Sequence, residues 1–190
     1  MITQTLSFIK NTLNSYLKLK TNNDDDKVVL TNIVSQDGTT THLPENSILL
    51  TLINVEEEKV GKSQTSYIEL SNGVISKINP EIKLNLYLLF SANFGEDKYN
   101  EALKFLSLII SFFQNKNVFN HQNSPELNEK IEKIIVDLYT LNLEQQNHLW
   151  AALGAKYMPS VVYKIRMLTI QELEVKTEAP SITEVTLKDN

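Results

Sequence analysis

Residues 82–90, Ile-Lys-Leu-Asn-Leu-Tyr-Leu-Leu-Phe, begin with alternating side chains and end in a continuous apolar run. Successive side chains of a strand point to opposite faces, so a run without polar members needs apolar cover on both sides. A chain that contains such a strand is driven to a layered fold with this strand at the centre of its sheet. The other segments must supply the layers.

Leu6, Ile9, Leu13, Tyr16 and Leu17 recur at three- and four-residue steps, which predicts an amphipathic helix over about 3–20. The run Thr21 to Asp26 favours a solvated loop. Val28 to Val34 and Ser47 to Val55 are apolar and β-branched, and both read as central strands. The polar stretch Glu56 to Asn79, with turn signals at Gly61 and Ser71-Asn72-Gly73 and a short strand at Tyr67 to Leu70, reads as a mobile hairpin or long loop. Tyr99, Ala102, Leu103, Leu106, Ile109, Ile110 and Phe113 predict a long helix over 97–115. Ile131 to Leu141 fits either a strand or the end of a helix starting near Glu126, and the strand is preferred. Asn142 is placed to cap a helix over 143–154 that stops at Gly154, and a last strand is expected near Val161–Ile170.

These elements predict an α/β chain of the α+β kind: a central mixed sheet flanked by an N-terminal helix, one long helix and a short C-terminal helix. At 190 residues a single domain is expected over 1–170. Residues 171–190 read as an extended acidic tail, with five acidic residues against two lysines and no aromatic side chain. Within it, Ile182 to Leu187 is β-branched enough to serve as a strand where a sheet edge is offered.

Signatures of chemistry are missing. The absence of cysteine excludes thiolate catalysis, zinc–thiolate sites and disulfides. A net charge of −5 without a cluster of lysines and arginines argues against a nucleic-acid partner. The first residues lack the basic and apolar regions of a secretory signal, so a cytoplasmic location is expected. The apolar stretch Leu103 to Phe113, broken by Lys104, Ser107 and Ser111, is too short for membrane insertion. His42, His121 and His148 have no metal-ligand spacing. The triplets Asp24 to Asp26 and Glu56 to Glu58 read as solvated charge, since consecutive side chains diverge. No serine sits in a nucleophile elbow, and the five glycines are isolated. The expectation is a non-enzyme without catalytic residues, metal, cofactor or small-molecule substrate, working by binding other protein subunits.

Three groups of segments occur in a characteristic order: Leu84 to Ala92; Tyr99, Glu101-Ala102-Leu103, Phe112-Phe113-Gln114 and Asn117-Val118-Phe119; then Glu144 to Gly154 and Tyr157 to Arg166. This combination resembles the tail-terminator, or cap, proteins of phage-tail-like contractile injection systems of the antifeeding-prophage type. The resemblance covers about 5–170, is strongest over 80–166, and does not extend to the tail. It implies a homo-hexameric ring on the distal end of the inner tube and contractile sheath, which stops polymerisation and helps fix particle length. It also implies assembly in the bacterial cytoplasm and incorporation into a particle that is released or membrane-anchored. The alternatives are a baseplate-side or adaptor module of the same machine, and an unrecognised enzyme, which predicts a pocket with strongly shifted ionisable groups. Candidate partner-binding residues are Ile182, Val185 and Leu187, which would add as a strand to the last sheath layer, and Lys164 and Arg166, which have a neighbouring subunit or Glu172 as possible partners.

Overall fold

The computed structural model describes residues 1–34, 43–58 and 82–166 in full, and the backbone alone at 66–69, 75–78, 167–170 and 177–179. In chain order the elements are α1 (Ile2–Thr21), β1 (Val28–Leu30), β2 (Ser47–Glu57), β3 (Ser66–Glu69), β4 (Ile75–Ile78), β5 (Ile82–Asn93), α2 (Tyr99–Asn115), β6 (Val118–Asn120), β7 (Lys133–Tyr139), α3 (Leu143–Leu153), β8 (Ser160–Ile170) and β9 (Thr177–Ala179). A 3-10 turn, Glu96–Lys98, leads into α2. The chain forms two compact units, one from Met1–Glu56 with Leu84–Leu168, the other from Glu57–Lys83 with Thr169–Asn190.

The first unit is built on a six-stranded mixed sheet in the order β1-β2-β5-β8-β7-β6. β1 is parallel to β2, with Val29 opposite Leu49. β7 is antiparallel to both neighbours, with Phe119 opposite Ile134 and Asp137 opposite Lys164. β5 also runs against its neighbours: its last residues reach the segments that enter β2 (Asn93 Nδ2 to Pro44 O, 3.0 Å) and β8 (Ala92 N to Pro159 O, 2.9 Å).

Burial on both faces follows from the residues of β5. Leu86, Leu88 and Phe90 join one core with Leu6, Ile9, Leu13 and Leu17 of α1 and Phe105, Ile109 and Phe113 of α2. Leu89, on the opposite face, joins a second core with Leu49, Val162 and Trp150 of α3. The unit is therefore three layers: two helices, the sheet, and α3. The larger core is rich in aromatic pairs, including Phe90 against Tyr163 (5.8 Å), Phe113 against Tyr163 (4.6 Å) and Phe8 against Phe119 (5.5 Å). Such pairs add to the area term of about 1.5–3 kcal/mol per fully buried side chain.

The expected order needs one correction. The run Val28 to Val34 forms a strand only at 28–30, and it lies at the sheet edge, not at its centre. Its free side is closed by Asn14, which is buried under α1: Asn14 Nδ2 donates to Val28 O (2.9 Å), while Lys27 N and Val28 N donate to Asn14 Oδ1 (2.9 and 2.8 Å). One polar side chain on a helix face thus does the work of a neighbouring strand, which apolar periodicity does not reveal. β6 was also not foreseen as a strand.

The ambiguous segment near 131–141 is a strand, and α3 has the expected ends. Asn142 accepts from Gln145 N (2.8 Å) while Gln145 Oε1 accepts from Asn142 N (3.0 Å), and Gly154 takes the left-handed conformation (φ 65°) that closes the helix.

In the second unit, β3 and β4 form an antiparallel hairpin, with Tyr67 opposite Lys77, and β9 adds antiparallel to β4, with Thr177 opposite Lys77. β9 lies inside the segment read above as a tail. Residues 180–190, His42 and the glycines at 38, 61 and 73 lie outside the described residues.

Replacing Asn14 by Ala strands three backbone groups under a helix and should cost about 3 kcal/mol, whereas Asn142→Ala removes one exposed cap and should cost about 1 kcal/mol. Equilibrium urea unfolding of the two variants checks the ranking. Equal losses would contradict the role given to Asn14.

Candidate interaction surface

Alternation along β8 puts Val162, Lys164 and Arg166 on one face, and the register with β7 brings Asp137 and Tyr139 to the same face. Val162 belongs to the α3 core. Beyond the cover of α3 the face turns polar. Arg166 Nε lies 2.6 Å from Asp137 Oδ2, one step diagonally across the ladder. Lys164 Nζ lies 3.3 Å from Glu56 Oε2 and 5.2 Å from the centre of the Tyr87 ring. The Tyr87 hydroxyl donates to the same Glu56 oxygen (2.7 Å), and Tyr139 meets the Tyr87 ring edge to face at 5.0 Å. A polar row thus crosses β2, β5, β8 and β7. Asn85, which with Ser91 is one of two buried polar residues of β5, also engages Glu56.

The electrostatics of the row reinforce ordinary charge states. The Tyr87 hydroxyl, followed by Lys164, holds the Glu56 carboxyl below its usual value. Burial, and then the bond to Glu56, raises the Tyr87 phenol. Hydrogen bonding to Tyr87 and then to Glu56 raises Lys164 against the opposing effect of desolvation. Each shift moves a group away from neutrality of pH, so none is poised to exchange a proton near pH 7. The row suits structure and recognition better than acid–base chemistry.

Next to it, α3 and the sheet leave a groove of about 340 Å³ whose apolar wall includes Ile53, Tyr139, Leu141, Leu149 and Val162. Large apolar side chains around α3 remain in solvent: Leu138 is 54% exposed, Leu143 85% and Tyr157 61%. On the opposite layer, Tyr99, Leu103 and Ile110 form an exposed stripe along α2. Clusters of this kind mark surfaces that meet other proteins. Among the described residues no three His, Asp or Glu side chains gather as metal ligands, and no helix is long and apolar enough to cross a membrane.

Lys164 and Arg166 therefore share one face, each already paired within the chain, to Glu56 and Asp137. Ile182, Val185 and Leu187 lie outside the described residues. Sequence reasoning missed Glu56, Tyr87 and Asp137. Glu56 was hidden in an acidic triplet and Tyr87 in an apolar strand, and only the matched alternation of 164 and 166 with 137 carried a signal.

The layered fold has counterparts among known proteins. The chain belongs to the family described as the Pvc16 N-terminal domain, whose model matches residues 4–184. Among solved structures it is similar to the PVC sheath/tube terminator of an extracellular contractile injection system in the extended state, with a TM-score of 0.68 at 14% identity over 100% of this chain and 63% of that one. It is also similar to the anti-feeding prophage cap, described as a tube terminating cap, with a TM-score of 0.60 at 13% identity over 95% of this chain and 60% of that one. The chain thus spans less than two thirds of the length of either. At these identities the likeness is one of fold. No curated protein matches by sequence. The resemblance to tail terminators found in the sequence agrees with both the family and the fold.

Because the folded state holds Glu56 below the ordinary 4.5, its network stabilises the fold above that pH and loses this contribution as pH falls through the lower folded value. The stability gap between the parent and Glu56→Gln should therefore be widest near neutrality and close below about pH 4.5. Urea titrations at neutral and acid pH check it, and a gap independent of pH would remove Glu56 from the network's titration.

Proposed function

We propose that the chain is a structural assembly protein that caps the distal end of the tube and contractile sheath of a phage-tail-like injection system. It ends their polymerisation and helps fix particle length, acting as a homo-hexameric ring and without catalysis. The observation that carries this reading is the fold match over the whole chain to a protein described as a sheath/tube terminator. Closed rings need heterologous contacts, in which two different patches of one subunit meet on its neighbours. The exposed α2 stripe and the α3 groove, on opposite layers of one sheet, offer two such patches. Assembly takes place in the bacterial cytoplasm, and the protein then stays in the finished particle.

Lys164 and Arg166 belong to the partner surface in this reading, and the acidic segment 171–190 is an attachment arm. Its residues Ile182, Val185 and Leu187 add as a strand to an edge in the last sheath layer.

Electron microscopy of particles from producing cells that lack the gene tests the main reading. Tubes of uncontrolled length, or tubes without sheath, are expected. Uniform particles of normal length would overturn termination, and a labelled copy found at the baseplate end would favour an adaptor. Truncation after Ala179 keeps β9 and removes the proposed donor strand. It should leave the fold unchanged and weaken co-sedimentation with sheath, and undiminished co-sedimentation would refute the arm.

A further inference from the structure

An exposed sheet edge recruits other polypeptides because it presents unpaired N–H and C=O groups. The six-stranded sheet ends in two three-residue strands, β1 and β6. In the parallel pair, Ile48 N donates to Lys27 O (2.7 Å) and Thr31 N to Leu50 O (3.1 Å). Residues 27, 29 and 31 therefore face β2, and Val28 and Leu30 face away, Val28 being the first residue that an added strand would meet. Both outward groups of Val28 are taken by the amide of Asn14, at 2.9 and 2.8 Å. Donating to and accepting from one residue is what a strand in antiparallel register would do.

The other edge is closed by a different geometry. Val136 N donates to Asn117 O (2.8 Å), so the next bonded pair is Phe119 with Ile134, and Val118 and Asn120 face away from β7. Asn123 Nδ2 donates to Val118 O (3.0 Å), and Asn120 N donates to Asn123 Oδ1 (3.1 Å). An N–H given to residue 118 and a C=O offered to residue 120 is how a single residue of a parallel strand docks. The loop that carries this amide is fastened in turn: Lys116 Nζ reaches Asn123 O (2.9 Å) and Ser124 Oγ (3.0 Å), while Ser124 N closes on Asn120 O (2.8 Å). Water could satisfy this exposed edge, so Asn123 adds little that solvent would not, except that it removes a docking site.

We infer that Asn14 and Asn123 are edge blockers, which bar strand addition by a second copy or any other chain at both ends of the six-stranded sheet. Partners must then engage this unit through side chains on its faces and helices and not by extending its sheet. The inference concerns the isolated chain and stands apart from the proposed function.

The test is self-association of the full chain. Asn123→Ala opens Val118 O and Asn120 N, and Asn123→Asp keeps the acceptor for Asn120 N while losing the donor to Val118 O. Sedimentation velocity over a concentration series, with circular dichroism confirming the fold, compares both with the parent. Folded Asn123→Ala is expected to form species larger than the parent's that grow with concentration, and Asn123→Asp to do so to a smaller extent. A folded Asn123→Ala with the parent's size distribution overturns the inference even if its melting point has dropped, because a purely structural role would move stability alone. If the Ala variant does not fold, the same comparison on Asn123→Asp decides.

Discussion

From Leu88 to Ala92 every residue of β5 is buried, so neither face of the strand turns toward water there. Leu86, Leu88, Leu89 and Phe90 are each exposed by 1% or less, and they point alternately to opposite faces of the sheet. A strand of this kind fits poorly in a sheet with one wet face, since Leu86, Leu88 and Phe90 on one side, or Leu89 on the other, would each forfeit about 1.5–3 kcal/mol of burial. The rest of the first unit meets that demand. α1 and α2 cover the even members, α3 covers Leu89, and β2 and β8 complete the ladder on either side. The short α3 covers only part of its face, and where its cover ends the side chains become Tyr87, Glu56, Lys164, Arg166 and Asp137. The polar row is thus a consequence of unequal cover: two helices on one side, one short helix on the other.

How much of this could be read from the residues depends on how local each cause is. The helices, their ends and the long strands were legible, because periodicity and capping are written within a few positions: Leu6 to Leu17 for α1, and Asn142 with Gln145 for α3. The segment near 131–141 was readable as a strand, though its apolar pattern fitted a helix as well. Strand order was not legible. β1 looks central by its valines and leucine, yet it is an edge whose missing neighbour is the amide of Asn14, fourteen residues away. β6 is three residues long and draws its identity from pairing with β7 and from a turn amide, neither of which leaves a periodic trace. The polar row is harder still, since Glu56 and Lys164 are 108 positions apart and meet only because β5 lies between their strands.

The row and the blocked edges bear on the same question, which is what another subunit can recognise. Unpaired lysines and arginines on a surface attract by charge, over a Debye length, and so respond to salt. Lys164 and Arg166 are instead held by Glu56 and Asp137, and their positive charge is largely offset within about 3 Å. What they present outward is a set of fixed hydrogen-bonding positions beside an apolar groove. Pre-ordered polar groups at the margin of an apolar patch set register and orientation, while the patch supplies most of the affinity. With asparagine amides seated at Val28 on one sheet edge and at Val118 and Asn120 on the other, backbone pairing is disfavoured as a competing mode of association in this unit. A subunit that must join a defined assembly and go no further gains specificity from that combination. Its contacts depend on side chains that fit one partner surface, and it offers no generic edge that would accept any extended chain.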